Sequence, residues 1–195
     1  VVSAAEAEFA AHGFSAGSLN VIARRAGVAK GSLFQYFADK RDLYAFITDV
    51  GSQRVRAYME EQIARLDPTR PFFEFLTDLF DVWVAYFAEH PRDRALHAAA
   101  SFEVDTDARV SVRAVVHRHY LDVLRPLVRE AQKRGDLSAN ADIDALLSEA
   151  VPEFGPLFDR LSGSVAETVQ DEVRLMREGR VESLLVRMAI RRGAA

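Results

Sequence analysis

One stretch of this 195-residue chain, LNVIARRAGVAKGSLFQYFADK at positions 19–40, combines basic and polar side chains in a way that suits binding to phosphates. Five bases accompany a single acid, Asp39, between positions 20 and 41. Such a surface can neutralise DNA phosphates even on a chain of formal net charge −4, because physiological salt screens distant charges beyond about 8 Å. Clusters of this size also occur on ordinary solvated surfaces. The bases are Arg24, Arg25, Lys30, Lys40 and Arg41.

The spacing within this stretch predicts a helix-turn-helix. We expect one short helix over 19–26 and a second over 30–37, joined by a three-residue turn that contains Gly27. Glycine suits such a turn because it adopts positive φ without the strain that a side chain would bring. Val28 is expected to fill the small core beneath the turn. An ordinary helical hairpin would show the same spacing.

The second helix of this motif has a buried side and a free side. Leu33 and Phe37 are four residues apart, so both are expected to point into the core. The opposite side remains free to enter a major groove, and Lys30 at the helix start adds a donor that reaches guanine or a phosphate. This pattern favours DNA as the partner. The free side consists of Gly31, Ser32, Gln35 and Tyr36.

Other kinds of chemistry find little support in the sequence. The absence of cysteine excludes disulfides, zinc–thiolate sites, iron–sulfur clusters and thiol nucleophiles. His117 and His119 are two residues apart and so lie on different faces of a helix, without a partner at metal-site spacing. Gly31 and Ser32 lack the context of a nucleophile elbow, and no glycine-rich phosphate loop occurs. We therefore expect no enzyme, no metal and no cofactor.

Helices are expected to position these residues, because apolar spacings of three and four recur along the chain and β-branched alternation is scarce. We predict an all-α chain of about nine helices, with a small bundle in 1–46 and a larger one in 47–195. The first helix is expected to end at Gly13. Later helices are predicted over about 40–66, 72–89, 92–102, 106–134 and 165–191. Caps are expected from Ser18, Asp39, Thr106 and Asn140 or Asp142, and breaks at Pro152 and Pro156.

The composition is typical of a globular chain that does not cross a membrane. The sequence is 49% hydrophobic and 28% charged, which fits a well-cored protein. No uninterrupted apolar run reaches the length of about 18 residues that a membrane span requires. The first residues, VVSAAEAEFAAHGF, lack a basic region and favour an amphipathic helix over a secretion signal.

From Val2 to about Tyr44 the chain resembles the DNA-binding domain of the TetR family of bacterial transcription regulators. The match is carried by AAEAEFAAHGF, by IARRAGV and by KGSLFQYFADKRDLY. Gly17, Ala29 and Phe34 depart from the family pattern, because each lacks a hydroxyl group that would bond to a phosphate. The resemblance implies DNA contacts from Ser18, Asn20, Lys30, Gly31, Ser32, Gln35, Tyr36 and Lys40, the last of them to a phosphate.

The resemblance also implies a repressor that binds a palindromic operator as a homodimer, is released by a small hydrophobic ligand, and works in the bacterial cytoplasm at the nucleoid. A dimer is expected on physical grounds too, because one recognition helix contacts too few base pairs for specificity. Two such helices require half-sites about 34–36 Å apart. A ligand-activated or co-repressed regulator of the same family remains open. So does an all-α small-molecule-binding protein or enzyme without a DNA function.

Two further sets of residues are predicted in the effector-binding and dimerisation domain, 47–195. Large apolar faces with a few polar tips suit a hydrophobic or aromatic effector, although the same side chains would also serve as an ordinary core. The apolar seam of the last helix suits a dimer interface, or burial within its own subunit. The effector set is Trp83, Tyr86, Phe102, His117, Tyr120 and Phe154. The dimerisation set is Leu146, Phe158, Val173, Leu184 and Met188.

Overall fold

The computed structural model describes residues 1–148, apart from the side chains of Phe73 and Thr77, and the regular structure of that part is entirely helical. This confirms the all-α prediction. The helices are α1 (Val2–Ala16), α2 (Leu19–Ala26), α3 (Lys30–Leu33), α4 (Lys40–Ile63), α5 (Phe72–Glu89), α6 (Pro91–Ser101) and α7 (Thr106–Arg134). A further helix begins at residue 143. The predicted breaks at Pro152 and Pro156 and the predicted helix 165–191 lie outside the described residues.

The chain divides into two compact units. One contains Val1–Ala57 and Tyr86–His119, and the other contains Tyr58–Ala85 and Tyr120–Ala195. The first unit therefore holds α1 to α3, most of α4, α6 and the start of α7. The predicted boundary at position 46 between a DNA-binding and an effector domain stays a prediction.

The first helix, α1, consists of two helical pieces that meet at a kink at Gly13. Gly13 has φ 65° and ψ −171°, which is not helical, and helical turns resume as far as Ala16. The predicted end of the first helical piece at Gly13 is therefore confirmed, with a positive φ at the glycine, and a short second piece follows it. The amide of Gly17 donates to the carbonyl of Gly13 at 3.2 Å and closes the last turn.

The N-terminal helices pack around a small apolar core. Phe9 of α1 and Tyr44 of α4 are fully buried, and their rings meet edge to face with centroids 4.9 Å apart. Ile22 of α2 and Leu33 of α3 belong to the same cluster. Burial of each large apolar side chain contributes about 1.5–3 kcal/mol, so this core holds the four helices together.

Two carboxylates fix the start of α4. Asp39 Oδ1 accepts a hydrogen bond from the amide of Asp42 at 2.9 Å, and Asp42 Oδ2 accepts one from the amide of Ala38 at 2.9 Å. The predicted cap by Asp39 is present, and the return bond of the capping box reaches one residue further back than in the usual motif. α4 ends at Ile63, three residues earlier than predicted, and the amide of Arg65 then bonds three residues back.

The start of α7 is capped by Asp105, one residue before the predicted cap. Asp105 Oδ1 accepts from the amide of Ala108 at 2.8 Å, whereas Thr106 is already the first helical residue. The prediction of Thr106 as cap is therefore wrong, because the preceding carboxylate takes that role. Gly135 has φ 85° and ends α7 as predicted. Asp142 Oδ1 accepts from the amide three residues later at 3.0 Å and opens the next helix.

Candidate nucleic-acid interface

The turn between α2 and α3 has the predicted backbone but a different interior. Gly27 is left-handed, with φ 68° and ψ 27°, and the amide of Val28 donates to the carbonyl of Ala23 at 3.0 Å. The side chain of Val28 is 36% exposed, so the prediction that it fills the core beneath the turn is wrong. Main-chain hydrogen bonds hold the turn, and the buried apolar residues Ile22 and Ala23 lie in α2.

The segment 30–37, the second helix of the predicted helix-turn-helix and here called the recognition segment, is α-helical only in its first part. α3 covers Lys30–Leu33, and each of the next three amides bonds to the carbonyl three residues earlier, at 3.1 to 3.4 Å. The amide of Phe37 then bonds to Leu33 at 3.0 Å. The α-helix predicted over 30–37 is therefore shorter in the structure, because hydrogen bonds between residues three apart, typical of a 3₁₀ turn, follow Leu33.

Two inward side chains orient the recognition segment. Leu33 is 2% exposed, and the ring of Phe37 lies 5.4 Å from the ring of Phe46 on α4. The side chain of Tyr36 is 80% exposed on the outer side. The structure thus places the predicted reading residues together on one surface segment. Lys30, Gly31, Gln35 and Tyr36 are exposed, and Ser32 is half-buried.

Ser18 occupies the N-cap position of α2, but its hydroxyl forms no capping hydrogen bond. Its amide donates to Glu8 Oε1 at 3.1 Å, and Glu8 also pairs with Arg25 at 3.3 Å. The predicted side-chain cap by Ser18 is therefore wrong. The carboxylate of Glu8 holds the junction between α1 and α2 by accepting from the main-chain amide of Ser18. Asn20, the other residue predicted at the entrance to α2, is exposed.

Lys40, which the resemblance assigns to a phosphate, is bonded to the end of α1. Its ammonium donates to the carbonyl of Ser15 at 3.3 Å and lies 4.6 Å from the centre of the Phe14 ring. Partial burial lowers the pKa of Lys40, although the nearby acids, Glu103 first among them, act to raise it. Lys40 therefore links the start of α4 to the end of α1.

Glu103 is an organising residue of this region that no sequence pattern indicates. Its buried carboxylate accepts from the Ser15 hydroxyl at 2.5 Å, from the Phe14 amide at 2.8 Å and from the Asp105 amide at 3.0 Å. Burial alone would raise the pKa of Glu103, but these hydrogen bonds outweigh it and hold the pKa below its usual value. The carboxylate joins the end of α1 to the connection between α6 and α7.

A second polar cluster joins α4 to α1 and α6. Arg54 contacts Glu6 at 2.6 Å through Nη1 and Asp93 at 2.5 Å through Nη2. The hydroxyl of Tyr86 donates to the other oxygen of Asp93 at 2.6 Å. The hydrogen bond to Asp93 is the largest cause that raises the pKa of Arg54 above its usual value. Because both carboxylates are buried, the guanidinium neutralises charges that would be costly without it.

Among the predicted effector residues, three are aromatic side chains in packed surroundings. Trp83 is buried, and its ring meets the half-buried Tyr120 edge to face at 5.8 Å. Tyr86 is buried as well, with its hydroxyl bonded to Asp93 and its ring stacked on His90 at 4.1 Å. The structure brings Trp83 and Tyr120 into contact within one compact unit and places Tyr86 in the other unit.

The other predicted effector residues differ in exposure. His117 is half-buried, and burial lowers its pKa. Phe102 is 63% exposed. Phe154 lies outside the described residues. The effector assignments therefore stay predictions.

A small cavity lies between α4, α6 and α7. It has a volume of about 20 Å³ and is lined in part by Thr48, Gly51, Leu96 and His97. This is smaller than the usual range for ligand pockets, about 300–1,000 Å³. Burial lowers the pKa of His97 to about 4, so its ring is neutral at pH 7. None of the predicted effector residues lines this cavity.

Of the predicted dimerisation residues, the described part of the chain contains Leu146, which is half-buried beside the buried Leu147. The others, Phe158, Val173, Leu184 and Met188, lie outside it, and the set stays a prediction. Within residues 1–148, no group of three or more His, Cys, Asp or Glu is placed to hold a metal ion. No helix in that range is long and apolar enough to cross a membrane.

Comparison with known proteins gives a family match and a curated relative. Residues 1–46 match the family model for bacterial regulatory proteins of the tetR family. The chain is also similar to the probable acrEF/envCD operon repressor of Escherichia coli. The two are 25% identical over 150 residues, which cover 75% of this chain and 67% of the repressor.

Solved structures share the fold over most of the chain. FadR from Bacillus subtilis in complex with stearoyl-CoA is 20% identical, with a TM-score of 0.65 over 91% of this chain and 92% of that one. FadR from Bacillus halodurans is 20% identical, with a TM-score of 0.63 over 89% and 94% of the two chains. A tetR-family regulator from Shewanella is 20% identical, with a TM-score of 0.66 over 89% of each.

Proposed function

We propose that this chain is a DNA-binding transcription regulator that represses its target genes by binding a palindromic operator as a homodimer, because its residues 1–46 match the family model for bacterial regulatory proteins of the tetR family. This family consists of transcription regulators, not enzymes. Repression is favoured because the curated relative is a probable operon repressor. We place this action in the bacterial cytoplasm, at the nucleoid.

The observation that carries the proposal is the exposed recognition segment that follows α2. Its polar side chains project from a segment that Leu33 and Phe37 anchor from the inside. Lys30 is exposed at its start, and Gln35 is a side chain able to bond in two ways to adenine in the major groove. The exposed Tyr36 adds a donor and acceptor for the sugar–phosphate backbone.

A homodimer supplies the specificity that one recognition segment lacks. Each segment reaches only a few base pairs, and a genome offers very many competing sites. Two-fold symmetry doubles the contacts and makes the operator a palindrome, with half-sites about 34–36 Å apart. The predicted interface residues of the C-terminal helices, together with Leu146, remain our candidates for joining the two copies.

We propose a fatty acyl-CoA or a related hydrophobic ester as the first effector to test. The supporting comparison is FadR of B. subtilis, which is similar in fold and was solved with stearoyl-CoA. In this chain the contact between Trp83 and Tyr120 offers aromatic surface of the kind that suits an acyl chain. Tyr120 is half-buried, so part of its surface is exposed.

Release from DNA requires that the effector favours one arrangement of the dimer over another. A change in the arrangement of the dimer would reach the DNA-binding helices through the polar contacts of Glu103 and Arg54. Both connect α1, which lies beside the helix-turn-helix, to α6 or to the connection that follows it. We propose that ligand binding shifts α6 and so alters how the two recognition segments are spaced.

The decisive experiment is selection of genomic DNA fragments by the purified full chain, followed by titration of the enriched fragments at two salt concentrations. We expect a palindrome bound by a dimer with a Kd of about 10 nM or tighter and a steep salt dependence. Stearoyl-CoA, stearate and CoA would then be added separately. Release by stearoyl-CoA alone supports an acyl-CoA effector.

Other outcomes identify the alternatives. Tighter binding on addition of the ligand would indicate a co-repressed regulator, and transcription that rises on binding would indicate an activator. Weak binding without a motif, lost as salt increases, would contradict an operator-specific function. It would then favour a small-molecule-binding protein without a DNA function.

A further inference from the structure

Lysine is rare in this chain, and one of its lysines has an unusual environment. Of the 25 lysines and arginines, three are lysines, at positions 30, 40 and 133. The guanidinium of arginine stays charged in proteins, whereas the lysine amine can lose its proton and accept an acyl group. A contact to a phosphate needs only a positive charge, which arginine also supplies. Lys40 therefore adds a chemistry that an arginine at this position would lack.

The amine of Lys40 lies in a partly buried niche at the end of α1. Its Nζ donates to the carbonyl of Ser15 at 3.3 Å and lies 4.6 Å from the centre of the Phe14 ring. Burial lowers the pKa of Lys40, although nearby acids, Glu103 first among them, act to raise it. A lowered pKa increases the fraction of free amine at neutral pH, and the free amine is the nucleophile.

The other two lysines provide an internal reference. Lys30 is exposed at the start of α3. Lys133, near the end of α7, exposes 74% of its side chain and pairs with Glu130 at 3.3 Å. Lys40 is the one of the three that is half-buried. A difference in reactivity between Lys40 and Lys133 therefore reports the effect of the niche.

The charge around Lys40 favours reagents that are themselves anionic. Five bases accompany one acid between positions 20 and 41, and the next residue, Arg41, exposes 42% of its side chain. Acyl phosphates and acyl-CoA thioesters both carry an activated acyl group on an anionic leaving group. A positive surface raises the local concentration of such molecules. The niche therefore lies where an anionic acyl donor is attracted.

We propose that Lys40 is an acylation site, and that transfer of an acyl group to its Nζ from an acyl phosphate or an acyl-CoA releases the protein from its operator. The effect on DNA rests on the proposed function. In the reaction the free amine attacks the acyl carbon and a C–N bond forms. The bond from that carbon to the phosphate oxygen or to the thioester sulfur breaks, and the leaving group keeps the electron pair. The nitrogen releases one proton, so the product is an uncharged amide.

The modified side chain would lose its charge and keep one donor. Acylation removes the positive charge assigned to a DNA phosphate and the cation–π contact with Phe14. The remaining N–H of the amide still suits the carbonyl of Ser15, so the link between α1 and α4 is retained in part. We therefore expect weaker DNA binding by a chain that remains folded.

The first experiment treats the full chain with acetyl phosphate and, separately, with acetyl-CoA, and follows acetylation of each lysine by peptide mass spectrometry. With at least one donor, Lys40 should react about threefold or more faster than Lys133, because a lowered pKa activates an amine. Excess operator should protect Lys40 and leave the rate at Lys133 unchanged. The donor that reacts identifies the source of the acyl group.

The second experiment passes the partly acetylated chain over immobilised operator. Chains acetylated at Lys40 should be depleted from the bound fraction by about fivefold or more, because one phosphate contact is lost. Chains acetylated at Lys133 should divide equally between the fractions. The Lys133→Arg variant is the matched control and should show the same rate and the same depletion at Lys40. The Tm of the acetylated chain should change by less than about 2 °C.

The outcomes separate this inference from the proposed function. Equal rates at Lys40 and Lys133 with both donors would overturn the acylation site and leave the repressor proposal standing. Equal amounts of acetylated Lys40 in the two fractions would overturn release from the operator, and so would a large fall in Tm, because unfolding would then explain the loss of binding. An untreated chain that selects no operator overturns the proposed function and the effect on DNA, while the rate at Lys40 still decides the acylation site.

Discussion

The hydroxyl of Ser15 donates to Oε1 of Glu103 at 2.5 Å across a separation of 88 positions in the chain. This contact ties the final turn of α1 to the connection between α6 and α7. Lys40 donates to the carbonyl of the same Ser15, so one residue receives contacts from both α4 and the α6–α7 connection. The end of α1 is therefore a junction between the DNA-binding helices and the helices that follow them.

Replacing Glu103 by glutamine should destabilise the protein and change its pH dependence. The amide nitrogen of glutamine would face a donor, at a cost of about 1–3 kcal/mol in the free energy of unfolding. The pKa of Glu103 lies below its usual value of 4.5 in the folded chain, so its contribution is complete above that value and is lost as pH falls through the folded-state pKa. Urea unfolding from pH 8 down to about pH 3 would measure this.

The matched control for Glu103 is Glu61→Gln, because Glu61 is exposed and pairs with Arg65 on the same helix. That variant should change the free energy of unfolding by less than about 0.5 kcal/mol. The free energies of unfolding of the unchanged chain and of the Glu103→Gln variant should differ by a constant amount at neutral pH and converge at acid pH. A difference that does not depend on pH would show that the carboxylate charge is not what matters.

Replacing Lys40 by alanine should weaken binding to every duplex and lower the slope of log affinity against log salt by about one. The reason is the loss of one phosphate contact at the start of α4. Lys40→Arg should keep the slope, since its charge is retained. An unchanged slope in Lys40→Ala would leave Lys40 only as the link between α4 and Ser15.

Replacing Gln35 by alanine should relax the base preference at one position in each half-site. The expected cost is about 1–3 kcal/mol for the preferred operator and little for other sequences. Selection from a randomised operator library would report the base preference at each position. Gln53→Ala, which alters an exposed glutamine on α4, is the control and should leave the preferences as they are. If the Gln35→Ala variant has the same base preferences as the unchanged chain, Gln35 does not read a base directly.

Replacing Arg54 by alanine should destabilise the fold, because it leaves the buried carboxylates of Glu6 and Asp93 without their cation. Arg54 is partly exposed, so we expect about 1–3 kcal/mol, below the cost of breaking a fully buried pair. Chemical denaturation would measure it. Arg54→Lys retains the charge but not the planar guanidinium with its several donors. Its free energy of unfolding should therefore lie between those of the unchanged chain and of Arg54→Ala. A loss equal in lysine and alanine variants would assign the effect to geometry, not to charge.

Replacing Trp83 by phenylalanine should leave operator binding near its original strength and weaken the response to stearoyl-CoA. The smaller ring retains a buried apolar side chain but loses part of the contact with Tyr120. Trp83→Ala is less informative, because truncation of a buried tryptophan costs about 3–5 kcal/mol in stability. Ligand-induced release in a DNA-binding titration is the measurement. An unchanged ligand response would support Trp83 as an ordinary core residue.

Sequence patterns predicted helix boundaries best where prolines or glycines flank the helix. α5 spans 72–89 as expected, because prolines at 71 and 91 leave no other start or end for so apolar a segment. The turn at Gly27 is likewise local, since one positive φ decides it. The all-α class, the helix-turn-helix and the type of regulator therefore followed from sequence.

The errors arose where a hydrogen bond competes with a periodic pattern. Val28 was expected inside because it is apolar, yet main-chain bonds hold the turn and its side chain stays at the surface. The α-helical part of the recognition segment ends at Leu33 because shorter-range bonds follow it. Glu103 has no predictive signal at all, since its partners at 14 and 15 are brought to it only by tertiary packing.

The composition of the first compact unit limits how this regulator can be divided. Leu96, Ala100 and Val112 are buried in the same cluster as Phe9 and Ile22. An excised N-terminal fragment would expose that cluster and strip the end of α1 of its acceptor at Glu103. A chimeric repressor that borrows this operator specificity for another sensor must therefore transplant residues 86–119 along with the first 57, so its donor segment is discontinuous in sequence.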